Sequence, residues 1–420
     1  MAEFWHPEIE TMPLDQMRAR QEKMVVEHVT HAYKNSPYYR KKFDEIGLKP
    51  EDIKNIGDFF TKVPFISKSE IIDAQRENPP FGDFLASPKD EIVRLWVSPG
   101  PIYYPFSGED LAGFQDMCSE AFFATGIRKH DLLDIAFSYY WVPAGTIMDD
   151  ACREIGAGVI PGGTGMTDMH IDVMKSAGVS AYIGTPSFLM HIADVAKSKN
   201  IDLSLRVGVF TAEPLPTDLK KSLEDAFGLD ARQLYGTADV GFIGRECEIG
   251  GGMHLYEDMV VEVIDPNTGE HVPPGEPGEV VATLLNRKCM PLLRYRTGDL
   301  VQGLDEEPCA CGRTSPKLLK LIGRTGDTVK VRGIFLVPKQ VGDVVSSHND
   351  LGNFQIILER EDVRDEITIK IEYSGKDPQT IIGQLQKEFK ERVKLQVDVE
   401  LTDKLPKDSK LLDDRRDLFK

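Results

Sequence analysis

The 420-residue chain is poor in cysteine, poor in positive charge and without a long hydrophobic run. Its 6 cysteines are too few for a disulfide scaffold in a chain of this length, which favours a reducing compartment and predicts a cytoplasmic protein. No apolar stretch approaches the roughly 20 residues that span a bilayer, and the first residues lack the basic and apolar regions of a secretion signal. We therefore expect neither a membrane segment nor an export signal.

Acidic residues outnumber basic ones by 68 to 50, which gives a net charge of −18 and a pI near 5.0. Such a surface repels nucleic-acid phosphates and anionic lipid, so it disfavours partners of both classes. Hydrophobic residues make up 41% of the chain, which is typical of a folded core. The composition favours an enzyme that acts on small molecules.

Short β-branched or aromatic runs alternate with amphipathic segments in the middle of the chain. Strands are predicted at residues 132–137, 158–160, 181–184, 206–210 and 232–235, and helices at 146–155, 169–175, 187–199 and 216–227. This alternation predicts right-handed crossovers and a parallel sheet covered on both faces, an α/β class. The preceding region, up to about residue 70, is predicted to be helix, turn, helix.

The pattern changes twice towards the C-terminus. Residues 253–302 alternate with period two and have tight turns, which predicts an antiparallel β layer joined to the α/β core. Residues after 323 combine several short strands with a helix at 378–394, which predicts a small α+β domain. Because Gly323 and Gly326 leave the backbone free to rotate, we predict a large domain of residues 1–323 and a mobile small domain of residues 324–420.

Three cysteines and a histidine form two close pairs in the sequence. Cys247 precedes His254 by seven positions, and Cys309 and Cys311 flank one alanine. Three thiolates and an imidazole can bind Zn²⁺ tetrahedrally in a closed, structural site. The alternative is that these are ordinary thiols and a surface histidine, but their polar, glycine-rich surroundings favour zinc.

Polar and glycine-containing turns follow three of the predicted strands. They are Gly184-Thr185-Pro186-Ser187, Thr211-Ala212-Glu213-Pro214 and Tyr235-Gly236-Thr237-Ala238-Asp239. Ligands of open parallel sheets bind beyond the carboxyl ends of the strands, where an aromatic ring can stack and a carboxylate can hold a divalent metal. A later motif, Tyr295-Arg296-Thr297-Gly298-Asp299, offers a carboxylate suited to two ribose hydroxyls and an arginine suited to phosphate. A surface ion pair followed by a turn explains that motif equally well.

In their order along the chain, these motifs resemble those of the phenylacetate–coenzyme A ligase family of adenylate-forming enzymes. The resemblance begins at Asn35-Ser36-Pro37-Tyr38-Tyr39-Arg40-Lys41-Lys42-Phe43 and at Val63-Pro64-Phe65-Ile66-Ser67-Lys68 and covers nearly the whole chain. It implies a large adenylate-forming α/β domain with an added β layer and a small mobile α+β domain. It also implies formation of an acyl-adenylate from ATP and a carboxylic acid, then transfer of the acyl group to coenzyme A (CoA), with Mg²⁺ and structural Zn²⁺ as metals and a homodimer as the assembly.

The resemblance assigns roles residue by residue. Ala212, Glu213, Pro214, Tyr235, Gly236 and Thr237 would surround adenine and the α-phosphate, with Arg296 nearby, and Asp299 would hold the ribose. Asp239 stands where the family has a metal-binding glutamate, Arg324 would contact the nucleotide, and Lys410 is the preferred catalytic lysine, with Lys407 as the alternative. The acid would lie beside Tyr139, Tyr140, Trp141 and Gly145, an aromatic wall that suits an aryl or small apolar acid.

Two segments depart from the family pattern. Residues 96–107, in place of the phosphate loop, are short, contain three prolines and lack lysine and threonine, so they offer few backbone donors to an anion. Gly326 stands where an acidic hinge residue is usual, and the lysine segment after Leu405 is shortened. Two alternatives to a ligase therefore stay open: an adenylyl transferase acting on a cofactor hydroxyl, and a degenerate member that binds nucleotide or acyl-CoA without catalysis.

Overall fold

We analysed a computed structural model that describes residues 3–98, 101–325, 329–331, 334–336, 338–361, 364–393, 395–406 and 409–415. The chain divides into two compact units. One consists of Met1–Thr297 and Gln302–Lys320, and the other of Gly298–Val301 and Leu321–Lys420. The domain boundary after residue 323 stays a prediction. None of the described helices has the length and apolar composition needed to cross a bilayer.

The first unit begins with helices whose ends are fixed by polar caps. They are α1 (Pro7–Glu10), α2 (Leu14–Asn35), α3 (Pro37–Glu45), α4 (Ile56–Lys62) and α5 (Lys68–Glu77). Ser36 caps α3, Asn55 caps α4, and Ser67 forms a capping box with Glu70 at the start of α5. The buried face of α2 carries Met17, Val25, His28, Val29 and Ala32, the helical spacing expected from the sequence.

A hairpin of β1 (Ile92–Ser98) and β2 (Ile102–Ser107) precedes the main sheet. That sheet has a parallel half of order β7-β6-β5-β3-β4, formed by β3 (Leu132–Ile135), β4 (Gly158–Ile160), β5 (Ala181–Gly184), β6 (Val207–Phe210) and β7 (Asp230–Thr237). Its helices are α6 (Gly108–Ala124), α7 (Ala144–Ile155), α8 (Thr167–Ala177), α9 (Pro186–Ser198) and α10 (Thr217–Phe227). The central strands β5 and β6 are apolar and wholly buried, as expected of a parallel sheet covered on both faces.

Antiparallel strands extend the sheet beyond β7. They are β8 (Gly241–Glu246), β9 (Met253–Leu255), β13 (Leu304–Asp305) and β14 (Lys317–Leu318), in the order β8-β9-β14-β13. A separate layer pairs β10 (Met259–Ile264) with β11 (Gly278–Leu284) in antiparallel register, beside β12 (Tyr295–Val301). The antiparallel layer predicted for residues 253–302 is confirmed.

The second unit has its own core. Its strands are β15 (Leu321–Arg324), β16 (Val329–Val331), β17 (Ile334–Leu336), β18 (Leu351–Glu361), β19 (Arg364–Tyr373), β20 (Asp398–Thr402) and β21 (Leu412–Asp414), and its helices are α11 (Pro338–Val345) and α12 (Pro378–Arg392). The main sheet has the order β20-β19-β18-β21. Alternate residues of β18 and β19 bury their side chains with Leu385 and Phe389 of α12, which makes the unit a sheet covered by helices.

The strand β12 passes from one unit to the other. Residues 295–297 belong to the first unit and residues 298–301 to the second, where Asp299 pairs with Arg324 across β12 and β15. Gly298 has φ +75°, a left-handed conformation that glycine adopts without strain. The chain thus passes between the two units three times, at residues 297–298, 301–302 and 320–321.

Candidate active site

Two of the predicted turns are hydrogen-bonded to each other at the carboxyl edge of the parallel sheet. Thr185 caps α9 by accepting from the Phe188 amide. The Ser187 hydroxyl donates to Glu213 Oε1 at 2.9 Å, and the Ser187 amide donates to Glu213 Oε2 at 3.3 Å. Because β5 and β6 are adjacent in the sheet, the turns that follow them lie side by side.

Ala212 has φ +69°, which a residue with a β-carbon rarely adopts. It is exposed, as is Pro214, while Glu213 is half-buried. Strained backbone of this kind persists where surrounding contacts fix it, and it is frequent at ligand sites. Here the fixing contact is the pair of hydrogen bonds between Ser187 and Glu213.

The turn after β7 is tight and packed against β12. The Tyr235 hydroxyl lies 3.4 Å from Thr297 Oγ1, and the Thr297 hydroxyl donates to the Val280 carbonyl at 2.8 Å. A β-carbon on Gly236 would lie 2.5 Å from the Gly241 carbonyl oxygen, so only glycine fits there. Thr237 Oγ1 accepts from the Val240 amide at 3.2 Å, which closes the turn.

Asp239, the residue expected to bind Mg²⁺, is buried with 5% exposure and already holds several partners. The Tyr104 hydroxyl donates to Oδ1, the Tyr295 hydroxyl donates to Oδ2 at 2.7 Å, and Lys68 Nζ lies 4.0 Å from Oδ2. Two donors and a cation around one carboxylate do not fit an additional divalent ion, which needs free oxygen ligands.

Asp299 and Arg324 lie opposite each other in the second unit. Arg324 Nε is 3.0 Å from Asp299 Oδ1, and the arginine side chain is 62% exposed against 18% for the aspartate. Arg296, in the first unit, donates to the buried Glu279 and to the Pro266 carbonyl. Its guanidinium is therefore engaged within the β layer, as in the ion-pair alternative that the sequence left open.

Lys410 is exposed and lies two residues before β21; the Ile356 amide donates to the carbonyl of the intervening Leu411 at 2.9 Å. This hydrogen bond fixes the backbone next to the lysine and leaves its side chain at the surface. Lys407 and Gly326 lie outside the described residues.

The predicted aromatic wall has one packed ring and two exposed ones. The Tyr139 hydroxyl donates to Asp149 at 3.1 Å, and its ring packs so closely on Gly145 that a β-carbon there would lie 2.6 Å from it. Tyr140 and Trp141 are 76% and 78% exposed. Trp141 has φ +64°, and its carbonyl accepts from Val97 of β1 at 2.8 Å. Residues 139–141 thus present two rings at the surface on a strained turn held by the hairpin.

The four predicted metal ligands lie together. Their ligand atoms are all within 4.8 Å of one another, with 3.8 Å between Cys247 Sγ and Cys309 Sγ and 3.4 Å between Cys311 Sγ and His254 Nε2. Tetrahedral zinc places thiolate sulfurs about 3.8 Å apart and sulfur and nitrogen about 3.5 Å apart. In the described part of the chain, no other group of three or more Cys, His, Asp or Glu could hold a metal.

The orientation of His254 also suits a metal ligand. Its Nδ1 lies 2.9 Å from the Ser315 carbonyl oxygen, which only a protonated nitrogen can approach as a hydrogen bond. Burial lowers the pKa of His254 to about 4, so the ring is neutral and Nε2 carries a lone pair towards Cys311. A metal-binding histidine is commonly fixed in this way.

A buried ionic cluster adjoins the cysteines. Arg313 Nε donates to Glu10 Oε2 at 2.8 Å, and Arg245 Nη2 lies 2.9 Å from Glu257 and also contacts Glu120. Burial raises the pKa of Glu120 well above its usual value, whereas Arg245 holds the pKa of the buried Glu257 below its usual value. The cluster ties α1 to the loop that carries Cys309 and Cys311.

Four residues around Asp239 were not predicted as site residues: Tyr104, Tyr295, Arg287 and Lys68. Tyr104 belongs to the segment interpreted as an altered phosphate loop. In the structure, residues 96–98 of this segment belong to β1 and residues 102–107 to β2. Lys68 belongs to a motif that carries the family resemblance, but the resemblance assigns it no role. The run of β-branched and aromatic residues in Ile102-Tyr103-Tyr104-Pro105-Phe106 was the available signal for β2.

Two family profiles match this chain. The profile of the AMP-binding enzyme family matches residues 152–283, and that of the AMP-binding enzyme C-terminal domain matches residues 333–411. Phenylacetate-coenzyme A ligase of Thermus thermophilus is 32% identical over 383 residues, 88% of this chain and 84% of that protein. The chain belongs to the phenylacetate–coenzyme A ligase family. The family's Pseudomonas putida enzyme is 30% identical over 412 residues, 94% of this chain and 92% of that protein.

Solved structures have the same fold. 2-Hydroxyisobutyryl-CoA ligase, in an open conformation with its acyl-AMP and CoA, has a TM-score of 0.88 at 24% identity and covers 97% of this chain and 94% of its own. The same enzyme in its postadenylation state has a TM-score of 0.81 at 25% identity, with coverage of 98% and 92%. The family and the adenylate-forming fold class predicted from the sequence are confirmed.

Proposed function

We propose that this protein is an ATP-dependent acid–thiol ligase that forms an acyl-adenylate and then an acyl-CoA thioester, with an aryl or small apolar acid as substrate. The observation that carries the proposal is the meeting of the strand-end turns. Ser187 bonds Glu213 after β5 and β6, and Tyr235 contacts Thr297 at the end of β7. Such turns at a parallel-sheet edge bind nucleotides in open α/β folds.

In this proposal the chain positions the reactants and stabilises charge. The turns at Ala212 and Gly236 bring backbone close to adenine, and Tyr235 supplies a planar surface. Asp299 accepts from the ribose hydroxyls, and Lys410 neutralises the phosphate as pyrophosphate leaves. No step passes through a metal bound to Asp239, since that carboxylate is already occupied.

The exposed rings supply the acid site in this proposal. Tyr140 and Trp141 lie on the turn that follows β3, and Gly145 keeps the packed Tyr139 ring in place. An aromatic surface favours a flat or apolar acid over a charged one.

We further propose that Cys247, His254, Cys309 and Cys311 hold a zinc ion. Zinc would cross-link the loop after β8 to the loop before β14 and has no part in the chemistry, because four protein ligands leave no open position. We also propose that the protein is cytoplasmic and forms a homodimer. Light scattering on the purified protein would test the homodimer.

A pyrophosphate-release screen tests the activity. Aryl and short aliphatic acids are supplied with ATP, with and without CoA. We expect release with an aryl acid, and a thioester detected by mass spectrometry only when CoA is present. Release without any thioester would indicate adenylyl transfer to another acceptor, and release with no acid would contradict the proposal.

A further inference from the structure

The hairpin that replaces the phosphate loop places a tyrosine on Asp239. Tyr104 lies in β2 opposite Trp96, is 1% exposed, and donates its hydroxyl hydrogen bond to Asp239 Oδ1. Burial and the neighbouring carboxylate raise the pKa of Tyr104 well above its usual value. The phenol therefore keeps its proton and acts as a donor.

The second carboxylate oxygen is held from the opposite direction. Tyr295, at the start of β12, donates to Oδ2 at 2.7 Å, and Lys68 Nζ lies 4.0 Å from the same atom. Tyr295 is itself fixed, because residues 294 and 296 form backbone hydrogen bonds with Ile66 at 3.1 and 2.9 Å. Both oxygens thus have donors from segments far apart in the sequence.

A buried arginine completes the surroundings of Asp239. Arg287 donates to the Asp239 carbonyl, and its guanidinium lies 4.4 Å from the centre of the Phe106 ring and 5.2 Å from that of Tyr104. Backbone and side chain of Asp239 are therefore fixed together, by residues of β2 and of the loop after β11.

The charges disfavour a divalent ion at this carboxylate. Asp239 carries one negative charge, and the cations Lys68 and Arg287 lie beside it. Asp110 adds a further negative charge near Arg287. A divalent ion bound to Asp239 would lie close to two buried or half-buried cations and would compete with two hydroxyl donors.

We propose that Tyr104 and Tyr295 hold Asp239 as a hydrogen-bond acceptor that does not ligate a divalent metal ion, so that the AMP moiety binds without a protein-bound metal. This inference rests on the proposed nucleotide site. A metal ion that enters with ATP is then held by the phosphates, and Tyr104 is a positioning residue for the turn from Tyr235 to Asp239.

The test measures metal and nucleotide binding on the intact, zinc-loaded protein in metal-depleted buffer without chelator. Electron paramagnetic resonance counts bound Mn²⁺, and calorimetry gives the AMP dissociation constant with and without Mg²⁺. We expect the wild-type protein and Asp239→Asn to bind the same number of Mn²⁺ ions. We also expect the AMP dissociation constant to be the same with and without Mg²⁺. A wild-type Mn²⁺ site lost in Asp239→Asn, or AMP binding that requires Mg²⁺, would overturn the inference.

Removing one hydrogen-bond donor from Asp239 should create a binding site for a divalent ion there. In Tyr104→Phe, Asp239 Oδ1 loses its hydrogen bond, and we expect Mn²⁺ affinity to rise about tenfold or more, the amount that one hydrogen bond to a charged group represents. Tyr103→Phe is the matched control, since Tyr103 points to the other face of the same strand and is half-buried. No gain over this control would contradict the proposal.

A second variant and the Mn²⁺ count without nucleotide cover two other outcomes. If Tyr104→Phe does not fold, Tyr295→Phe removes the donor on Oδ2 and carries the same expectation. If the wild-type protein binds no AMP at all, the proposed function fails, while the Mn²⁺ count without nucleotide still decides the role of Asp239.

Discussion

At the residue scale, Asp239 and Asp299 are fixed by partners that the sequence places far away. Asp239 accepts from Tyr104 and Tyr295, 135 and 56 positions distant, and Asp299 faces Arg324 on the neighbouring strand. Sequence patterns predicted both carboxylates as site residues, Asp239 in a turn after a strand and Asp299 at a strand end, although Asp299 lies within β12. They could not predict the partners, since hydrogen bonds between distant segments depend on the completed fold.

Asp299→Ala should weaken AMP binding about 10- to 100-fold, because a charged acceptor for the ribose hydroxyls is lost. Isothermal calorimetry with AMP measures the effect. Asp343→Asn, an exposed change on α11 of the same unit, should leave the affinity unchanged. Retained AMP affinity in Asp299→Ala would show that another residue holds the ribose.

Lys410→Ala should slow adenylation and spare the second half-reaction. The lysine charge is needed as pyrophosphate leaves, not when CoA attacks an adenylate supplied to the enzyme. Pyrophosphate release and thioester formation are measured separately. Lys404→Ala, on the same exposed segment, should affect neither. Equal loss of both half-reactions in Lys410→Ala would contradict the assignment.

At the element scale, the parallel half of the sheet was predictable and the added strands were only partly so. The strand at 181–184 and the helix ending at 227 agree with β5 and α10, since buried runs and amphipathic spacing give strong local signals. The β1–β2 hairpin was not predicted, because residues 96–107 were interpreted as a phosphate loop with proline. The strand β8 contains two glycines, which weaken the strand pattern, and it was also missed.

Loss of the proposed zinc should unfold the loops around β9 and β14. We expect Cys309→Ser to lower the zinc content and the melting temperature, since structural zinc contributes directly to folding energy. Metal analysis and thermal melting measure these changes. Adding zinc back after chelation should restore the wild-type protein but not the variant. Unchanged melting after zinc removal would contradict a structural role.

At the scale of the whole molecule, the ionic cluster joins the first helix to the last part of the first unit. Arg313 bonds Glu10, and its guanidinium lies 5.1 Å from the centre of the Phe4 ring. The boundary after residue 323 stays a prediction, but a division into a large and a small unit was predicted from the change in pattern there. The attachment of α1 was not, because a lone buried glutamate has no distinguishing sequence signal.

Arg313→Met should destabilise the protein by about 3 kcal/mol, because the buried Glu10 loses its partner at 2.8 Å and keeps Arg245, whose Nη2 is 3.8 Å from Oε2. Thermal and denaturant unfolding measure the change. The double variant Glu10→Leu with Arg313→Met should regain most of the loss, since apolar residues can replace a buried ion pair. A double variant less stable than Arg313→Met would show that the pair acts through other contacts.

The pairing of Glu10 with Arg313 has a consequence for biosynthesis. The two residues are 303 positions apart. A ribosome that adds about 5–20 residues per second translates the arginine about 15–60 s after the glutamate. The segment around Glu10 therefore docks late, after most of the large unit has left the exit tunnel.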